Sequence, residues 1–306
     1  MAKFCYKCGN PLQPTWNICP YCGHTAYDKS YQPIEDASGI YEEELVPIKK
    51  EPSRKKRLTK TQKKAIIIGV IVLTAAIIIP VIGVAIYKYS FPTKEVQFYV
   101  NNGLSPASYT VTTTRAKLEF YESQPHPSHS HWDANITASI IESYCTPDET
   151  KIIEIAEGIR SKCLDQNDSE EVINAVLSFS QAIGYEYDTV DLAQYPIETI
   201  YNQGDCEDLS VLFGSLIEAI GYEAIIAIIN VYDETEGVWI GHACVGVYIN
   251  YTPTEHPFYP PSYYLSVSEN SNEYWICETT DQGWMIGALP VSNPSYFILL
   301  GYAFID

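Results

Sequence analysis

Residues 65–87, AIIIGVIVLTAAIIIPVIGVAIY, run for 23 positions without a charged side chain. At about 1.5 Å of rise per residue a helix of that length reaches roughly 34 Å, against a bilayer hydrocarbon core of ~30 Å. The length and apolarity argue against a core helix of a soluble domain. The 64 residues before the stretch, with no small-residue cleavage site after it, argue against a cleaved signal peptide. Residues 65–87 therefore read as one transmembrane helix. Pro80 is expected to kink it locally, which membrane helices tolerate.

The span also divides the charge. Residues 1–64 carry 12 Lys and Arg against 7 Asp and Glu, whereas residues 65–306 carry 7 against 31. Nine of the basic residues fall in 49–64, KKEPSRKKRLTKTQKK, directly before the span; Lys88 and Lys94 are the basic residues that follow it closely. The positive-inside rule then predicts a single-pass protein of the cell membrane, with its N-terminus cytoplasmic and its acidic body outside. The basic run also suits anionic lipid headgroups. So acidic a body repels nucleic acid, which speaks against a nucleic-acid role for the large domain.

The first 24 residues contain FCYKCGNPLQPTWNICPYCG, in which Cys5 and Cys8 form one C-x-x-C and Cys19 and Cys22 another. Two residues between thiolates let one tight turn present both sulfurs to one ion, and the glycine after each pair permits the turn. Four thiolates make a closed tetrahedral site, so the expected Zn2+ is structural. Residues 1–24 read as a small zinc ribbon, similar to those that open many prokaryotic membrane proteins, and as a contact for a cytoplasmic partner. Residues 25–64 lack hydrophobic periodicity and read as a flexible linker.

Beyond the membrane, residues 88–144 read as a β-rich extracytoplasmic part, with strand character over 95–122. HPSHSHWD, residues 126–133, holds three histidines but has the Pro and Ser spacing of an exposed loop, so no metal is expected there. Thr146 followed by Pro147 and Glu149 is a helix-start signal, and Asp168 with Glu171 repeats it before VINAVLSFSQAIG. Residues 145–306 read as the catalytic domain.

Its central feature is GDCEDLSVLFGSLIEAIGY, residues 204–222. Leu209, Leu212, Phe213, Leu216, Ile217 and Ile220 form one apolar helical stripe that Gly221 ends. Asp205 is the expected N-cap and Asp208 its capping-box partner, which puts Cys206 at the first helical position. There the positive end of the helix dipole favours a thiolate, and amide N–H groups can hold an oxyanion. Asp205, Glu207 and Asp208 oppose a thiolate, so an imidazolium is needed as well. Strands are expected over 223–232 and 238–249, joined by DETEG, and again over 273–281. On the second strand His242, Cys244, Gly246 and Tyr248 share a face, expected to approach a helix end. The third runs into Glu278.

These residues resemble the transglutaminase-like superfamily within the wider papain-like cysteine-protease fold, over about residues 150–290. The matching positions are Gly204-Asp205-Cys206 opening a helix, Gly241-His242-Ala243 on a strand, and Glu278-Thr279-Thr280 on another. GDCED and CETT are similar to archaeal membrane-linked members. Glu stands where the family has Asp, with Asp281 as a fallback. The resemblance implies an α+β core in which a Cys-bearing helix packs on an antiparallel sheet carrying His and the acid. It further implies a membrane-anchored thiol enzyme that cleaves or transfers an acyl or amide group of a protein or peptide at the cell surface. Cys206 would be the nucleophile, His242 the base and acid, and Glu278 the orienter; Gln203 and Tyr201 stand near the oxyanion position without an assignment. The alternative is a non-catalytic peptide-binding receptor or scaffold on the same fold. Cys244 with Cys277, and Cys145 with Cys163, are candidate disulfide pairs outside the cell.

The ribbon yields a direct measurement. Metal analysis of a peptide spanning residues 1–30 is expected to find about one equivalent of zinc, and Cys8→Ser is expected to lose it.

Overall fold

The computed structural model describes residues 3–4, 11–12, 59–128, 133–187, 192–254, 264–289 and 293–305. The chain divides into two compact units, Met1–Lys63 and Lys64–Asp306. In the first, strand β1 (Lys3–Phe4) pairs antiparallel with β2 (Pro11–Leu12). The expected zinc ligands Cys5, Cys8, Cys19 and Cys22 lie outside the described residues, as does the linker before residue 59.

Helix α1 (Lys60–Ser90) overruns the expected span at both ends and continues through Pro80. It is long and apolar enough to cross a membrane, and none of its apolar window is buried in the protein. The Thr74 hydroxyl donates to the carbonyls of Val70 and Ile71, both at 2.9 Å, so its polar group has a partner within the helix.

Strands β3 (Thr93–Val100) and β4 (Ser105–Thr112) form a hairpin whose turn places Asn101, Asn102 and Gly103 at positive φ. Alternation along β3 buries Val96, Phe98 and Val100. The strand expectation for 95–122 ends there. Arg115–Glu122 is helix α2, because the Thr114 hydroxyl caps the Lys117 N–H and Arg115 pairs with Glu119 one turn on.

Helices α3 (Ala134–Glu142), α4 (Thr150–Arg160), α5 (Ser169–Gln181), α6 (Pro196–Asn202) and α7 (Cys206–Glu218) follow. The start expected at Thr146 is displaced. Residues 147 and 148 form a turn, and Glu149 caps α4 by accepting from Lys151 N–H. Asp168 does cap α5, accepting from the N–H groups of Glu170 and Glu171. Glu171 instead accepts from Leu164 and Asp165, closing the preceding turn.

Helix α7 is the centre of the core. Leu209, Leu212, Phe213, Leu216 and Ile217 are fully buried, each contributing about 1.5–3 kcal/mol of transfer free energy. They pack on a five-stranded antiparallel sheet of order β7-β8-β6-β5-β9, so the unit is α+β. Its strands are β5 (Ala224–Asp233), β6 (Val238–Tyr248), β7 (Ser266–Glu269), β8 (Asn272–Cys277) and β9 (Phe297–Phe304). Ala243, Val245 and Val247 of β6 face the helices, whereas Cys244 and Tyr248 face a second apolar cluster with Tyr274 and Ile276. The body of α7 thus packs on the fully apolar face of β6, while His242 comes near only the start of the helix, at Glu207.

The thiols Cys145, Cys163, Cys206, Cys244 and Cys277 are all free. Neither candidate pair, Cys244 with Cys277 or Cys145 with Cys163, is bonded, and Cys244 and Cys277 lie in clusters on opposite faces of the sheet.

Gly301 brings β9 close against the start of α3. A Cβ there would sit 2.6 Å from the backbone of Ala134 and Asn135. Gly301→Ala is therefore expected to cost about 1–3 kcal/mol, read as a lowered melting temperature of the purified chain.

Candidate active site

Position 206 follows from local rules. Asp205 and Asp208 form the capping box, with Asp208 accepting from Asp205 N–H at 3.3 Å. Asp208 also accepts from the backbone N–H and side-chain amide of Gln194, at 2.6 and 2.8 Å. Burial pushes its pKa up to about 7, against those bonds. Gly204 is needed because a Cβ there would lie 2.3 Å from the Asp208 Cβ. The box starts α7 at Cys206, which is half-buried, while Glu207 and every residue on to Ile217 are buried.

The acid and the histidine come from the sheet. The last pair between β6 and β8 is Val245 with Cys277, so the half of β6 that holds Ala243 and His242 has no β8 partner. Cys206 lies at this open edge, beside the Ala243 backbone, whose N–H dipole favours the thiolate. Glu278 is the first residue past β8, and its Oε2 is 3.0 Å from His242 Nε2. One turn along α7 from Cys206, Ser210 Oγ meets Thr279 Oγ1 at 3.3 Å, both fully buried. Helix start, strand histidine and strand-end acid are thereby gathered at one place.

The pair is electrostatically strong because it is dry: the Glu278 side chain is 4 % exposed and that of His242 15 %. Burial alone would raise the Glu278 pKa, yet the His242 charge and hydrogen bond, with two more bonds from Thr280, hold it down to about 2. Burial likewise works against the His242 imidazolium, but the charge and bond of Glu278, then the charge of Glu207, raise its pKa above 6.5.

The thiol behaves otherwise than expected. Its hydrogen bond goes to Glu207 Oε2, 3.2 Å away, and no bond to His242 is present. Burial, then the Glu207 charge, push the Cys206 pKa well above 9.0 in spite of the Ala243 N–H, with Asp205 adding to the rise. In this arrangement the sulfur carries its proton. His242 is engaged by Glu278 through Nε2, which leaves Nδ1 as the ring nitrogen available to a substrate-side group or the thiol.

Other expected participants fall elsewhere. Asp281 is exposed and accepts from the Trp284 indole at 3.2 Å, so Glu278 is the acid on the histidine. Tyr201 donates to the carbonyls of Pro92 and Val111, and Gln203 to that of Ile183; neither bonds the thiol. His126 bonds Glu198 at 3.0 Å, while His129 and His131 lie outside the described residues. Asp205, Cys206 and Glu207 bring ligand atoms within 4.8 Å of one another, a donor set a divalent metal could take, though these groups already serve the capping box and the thiol.

Tyr185 was not legible in the sequence. It bridges to Gly204 close to Cys206, and burial, followed by the neighbouring Cys206, Asp205 and Glu207, pushes its phenol up to about 12. Its position after Gly184, which ends the turn out of α5, carries no catalytic signature.

No protein-family model matches the sequence, and no curated protein matches it. Among solved structures, the chain is similar to the crystal structure of a Cytophaga hutchinsonii protein provisionally described as a cysteine protease. The two share 17% identity over 71% of this chain and 75% of that one, with a TM-score of 0.31. An overlap that loose identifies neither a family nor an activity.

The His242–Glu278 pair sets a pH window. Glu278 contributes stability that is present above its ordinary 4.5 and is lost as pH falls toward about 2. His242 contributes stability that is full below 6.5 and is lost as pH climbs through its raised value. The melting-temperature difference between wild type and Glu278→Gln is therefore expected to peak between pH 4.5 and 6.5 and to shrink on both sides.

Proposed function

We infer that the protein is a membrane-anchored thiol enzyme of the transglutaminase-like, papain-like kind, cleaving or transferring an amide-linked acyl group of a protein or peptide outside the cytoplasm. The observation that carries this reading is the buried 3.0 Å pair of His242 and Glu278 beside a cysteine at the first position of a buried helix. Helix α1 would be the anchor, with the nine basic residues of 49–64 on the cytoplasmic side. The ribbon would hold its zinc through Cys5, Cys8, Cys19 and Cys22 and face a cytoplasmic partner.

The chemistry would run through three residues. Rotation of the Cys206 side chain away from Glu207 brings its S–H to His242 Nδ1, which takes the proton as the sulfur attacks the carbonyl carbon. Glu278, bound to Nε2, stabilises the imidazolium. The Cys206 N–H at the helix start supports the oxyanion. On collapse the C–N bond breaks and His242 returns the proton to the departing amine, leaving a thioester. Water or a second amine then attacks, giving its proton to His242, and the thiol is regenerated. The triad serves both outcomes, with hydrolysis favoured by the constant presence of water.

The thiol's bond to Glu207 supports a second reading, a binding module whose cysteine is inert. Alkylation by iodoacetamide at neutral pH, mapped by mass spectrometry, separates the two. For the enzyme, Cys206 should label and Cys206→Ala should not, whereas Cys244→Ala should leave the labelling at Cys206 intact. His242→Ala should slow labelling about tenfold or more, and Glu207→Gln should accelerate it, since each pKa unit is worth tenfold in thiolate. Glu278→Gln should leave partial labelling but cut turnover by about 10²-fold or more. Unchanged labelling in His242→Ala would sink the enzyme reading and leave the binding module.

A further inference from the structure

Helix α5 runs through the core, yet one stripe of it is polar, buried at Asn174 and Gln181 and half-buried at Ser178. Asn174 is 4 % exposed and Gln181 2 %, and Ser178 lies between them at helical spacing. Polar groups placed so deep need partners, and each finds them on another segment's backbone. Asn174 Oδ1 accepts from Ile286 N–H at 2.9 Å, and Ser178 Oγ accepts from Tyr99 N–H at 2.9 Å. Gln181 makes the most: Nε2 donates to the Glu278 carbonyl at 2.7 Å and to the Trp284 carbonyl at 3.0 Å, and Oε1 accepts from Gly283 N–H at 3.1 Å.

The Glu278 bond has particular weight. Strand β8 ends at Cys277, and its ladder with β6 ends there too, so the ladder gives the Glu278 backbone no partner. The amide of Gln181 supplies one. The same amide ties down the far end of the loop, Gly283 and Trp284, so that the acid and the segment after it are held against a rigid helix. Thr280 then fixes the Glu278 carboxylate from within the loop, through its N–H and hydroxyl at 2.7 and 2.6 Å.

We propose that Gln181 is a positioning residue for the site: by holding the Glu278 carbonyl where the sheet no longer does, it keeps the Glu278 carboxylate against His242. The proposal rests on the thiol-enzyme reading for its catalytic meaning. Its structural content, that Gln181 maintains the His242–Glu278 pair, stands separately. The titratable groups around His242 are Glu278 beyond β8 and Glu207 and Cys206 at the start of α7. Gln181 is uncharged, so it acts on the titration of His242 through geometry alone.

The test is the titration of His242 in the full chain, followed by NMR with carbon-13-labelled histidine, its resonance assigned among the six histidines by His242→Ala. Gln181→Met keeps the side-chain length and removes all three hydrogen bonds. The His242 midpoint should fall toward its ordinary value, and Cys206 alkylation at neutral pH should slow several-fold. Gln181→Asn keeps the amide but withdraws it by one methylene, and should shift the midpoint less in the same direction; it serves where the Met variant does not fold. Ser178→Ala breaks the anchor of β3 on the same stripe and should lower the melting temperature without moving the midpoint. A folded Gln181 variant with the wild-type midpoint would overturn the proposal, and so would an equal shift in Ser178→Ala. If the Gln181 variants move the midpoint while His242→Ala leaves alkylation unchanged, the positioning holds and the enzyme reading fails.

Discussion

Helix α7 is buried along almost its whole length, from Glu207 to Ile217, between the other helices and the sheet. A helix so enclosed cannot tilt or slide without disturbing the core on every side, since interiors are packed to crystal density. Its first residue is therefore a fixed point, and Cys206 is that residue. The small groups on α7 show how closely it is gripped: a Cβ on Gly214 would meet Ile305 at 2.5 Å. The sheet, the α5 stripe and the loop after β8 are all placed relative to this helix, and the chemistry at its start inherits their rigidity.

Against that frame two opposed electrostatic arrangements meet at one sulfur. The helix start and the Ala243 N–H favour a thiolate, while burial and the carboxylates of Glu207 and Asp205 favour the thiol. The thiol prevails because a desolvated anion beside a carboxylate 3.2 Å away is more costly than one nearby amide dipole and a helix end can offset. The imidazolium is stabilised at the same time by Glu278. The resting thiol thus keeps its proton beside an imidazole that Glu278 orients and whose protonated form it stabilises, so transfer of that proton to the neutral imidazole would accompany the approach of a substrate rather than precede it.

Much of this was legible in the chain. The capping box at Asp205 and Asp208, the apolar stripe of α7 with Gly221 at its end, and the hairpin of β5 and β6 all appear where local rules place them, because each depends on residues within a few positions of one another. The errors in secondary structure are of one kind. Residues 115–122 have strand-like neighbours but take a helix once Thr114 caps it, and Thr146 loses the start of α4 to Glu149. In both places two local signals compete, and the packing of the segment chooses between them.

The sequence by itself determined the apolar span of α1, the acidic body, and which residue types could form a Cys, His and acid set, since charge, hydropathy and short-range spacing are properties of the chain alone. Only the tertiary structure decided between Glu278 and Asp281, packed the body of α7 on the apolar face of β6, and turned the thiol toward Glu207. It alone brought Gln181 and Tyr185 to the site from the end of α5 and the turn that follows it. Those outcomes depend on distances between residues far apart in the chain and on which of them water is kept from, and neither is written in the order of the residues.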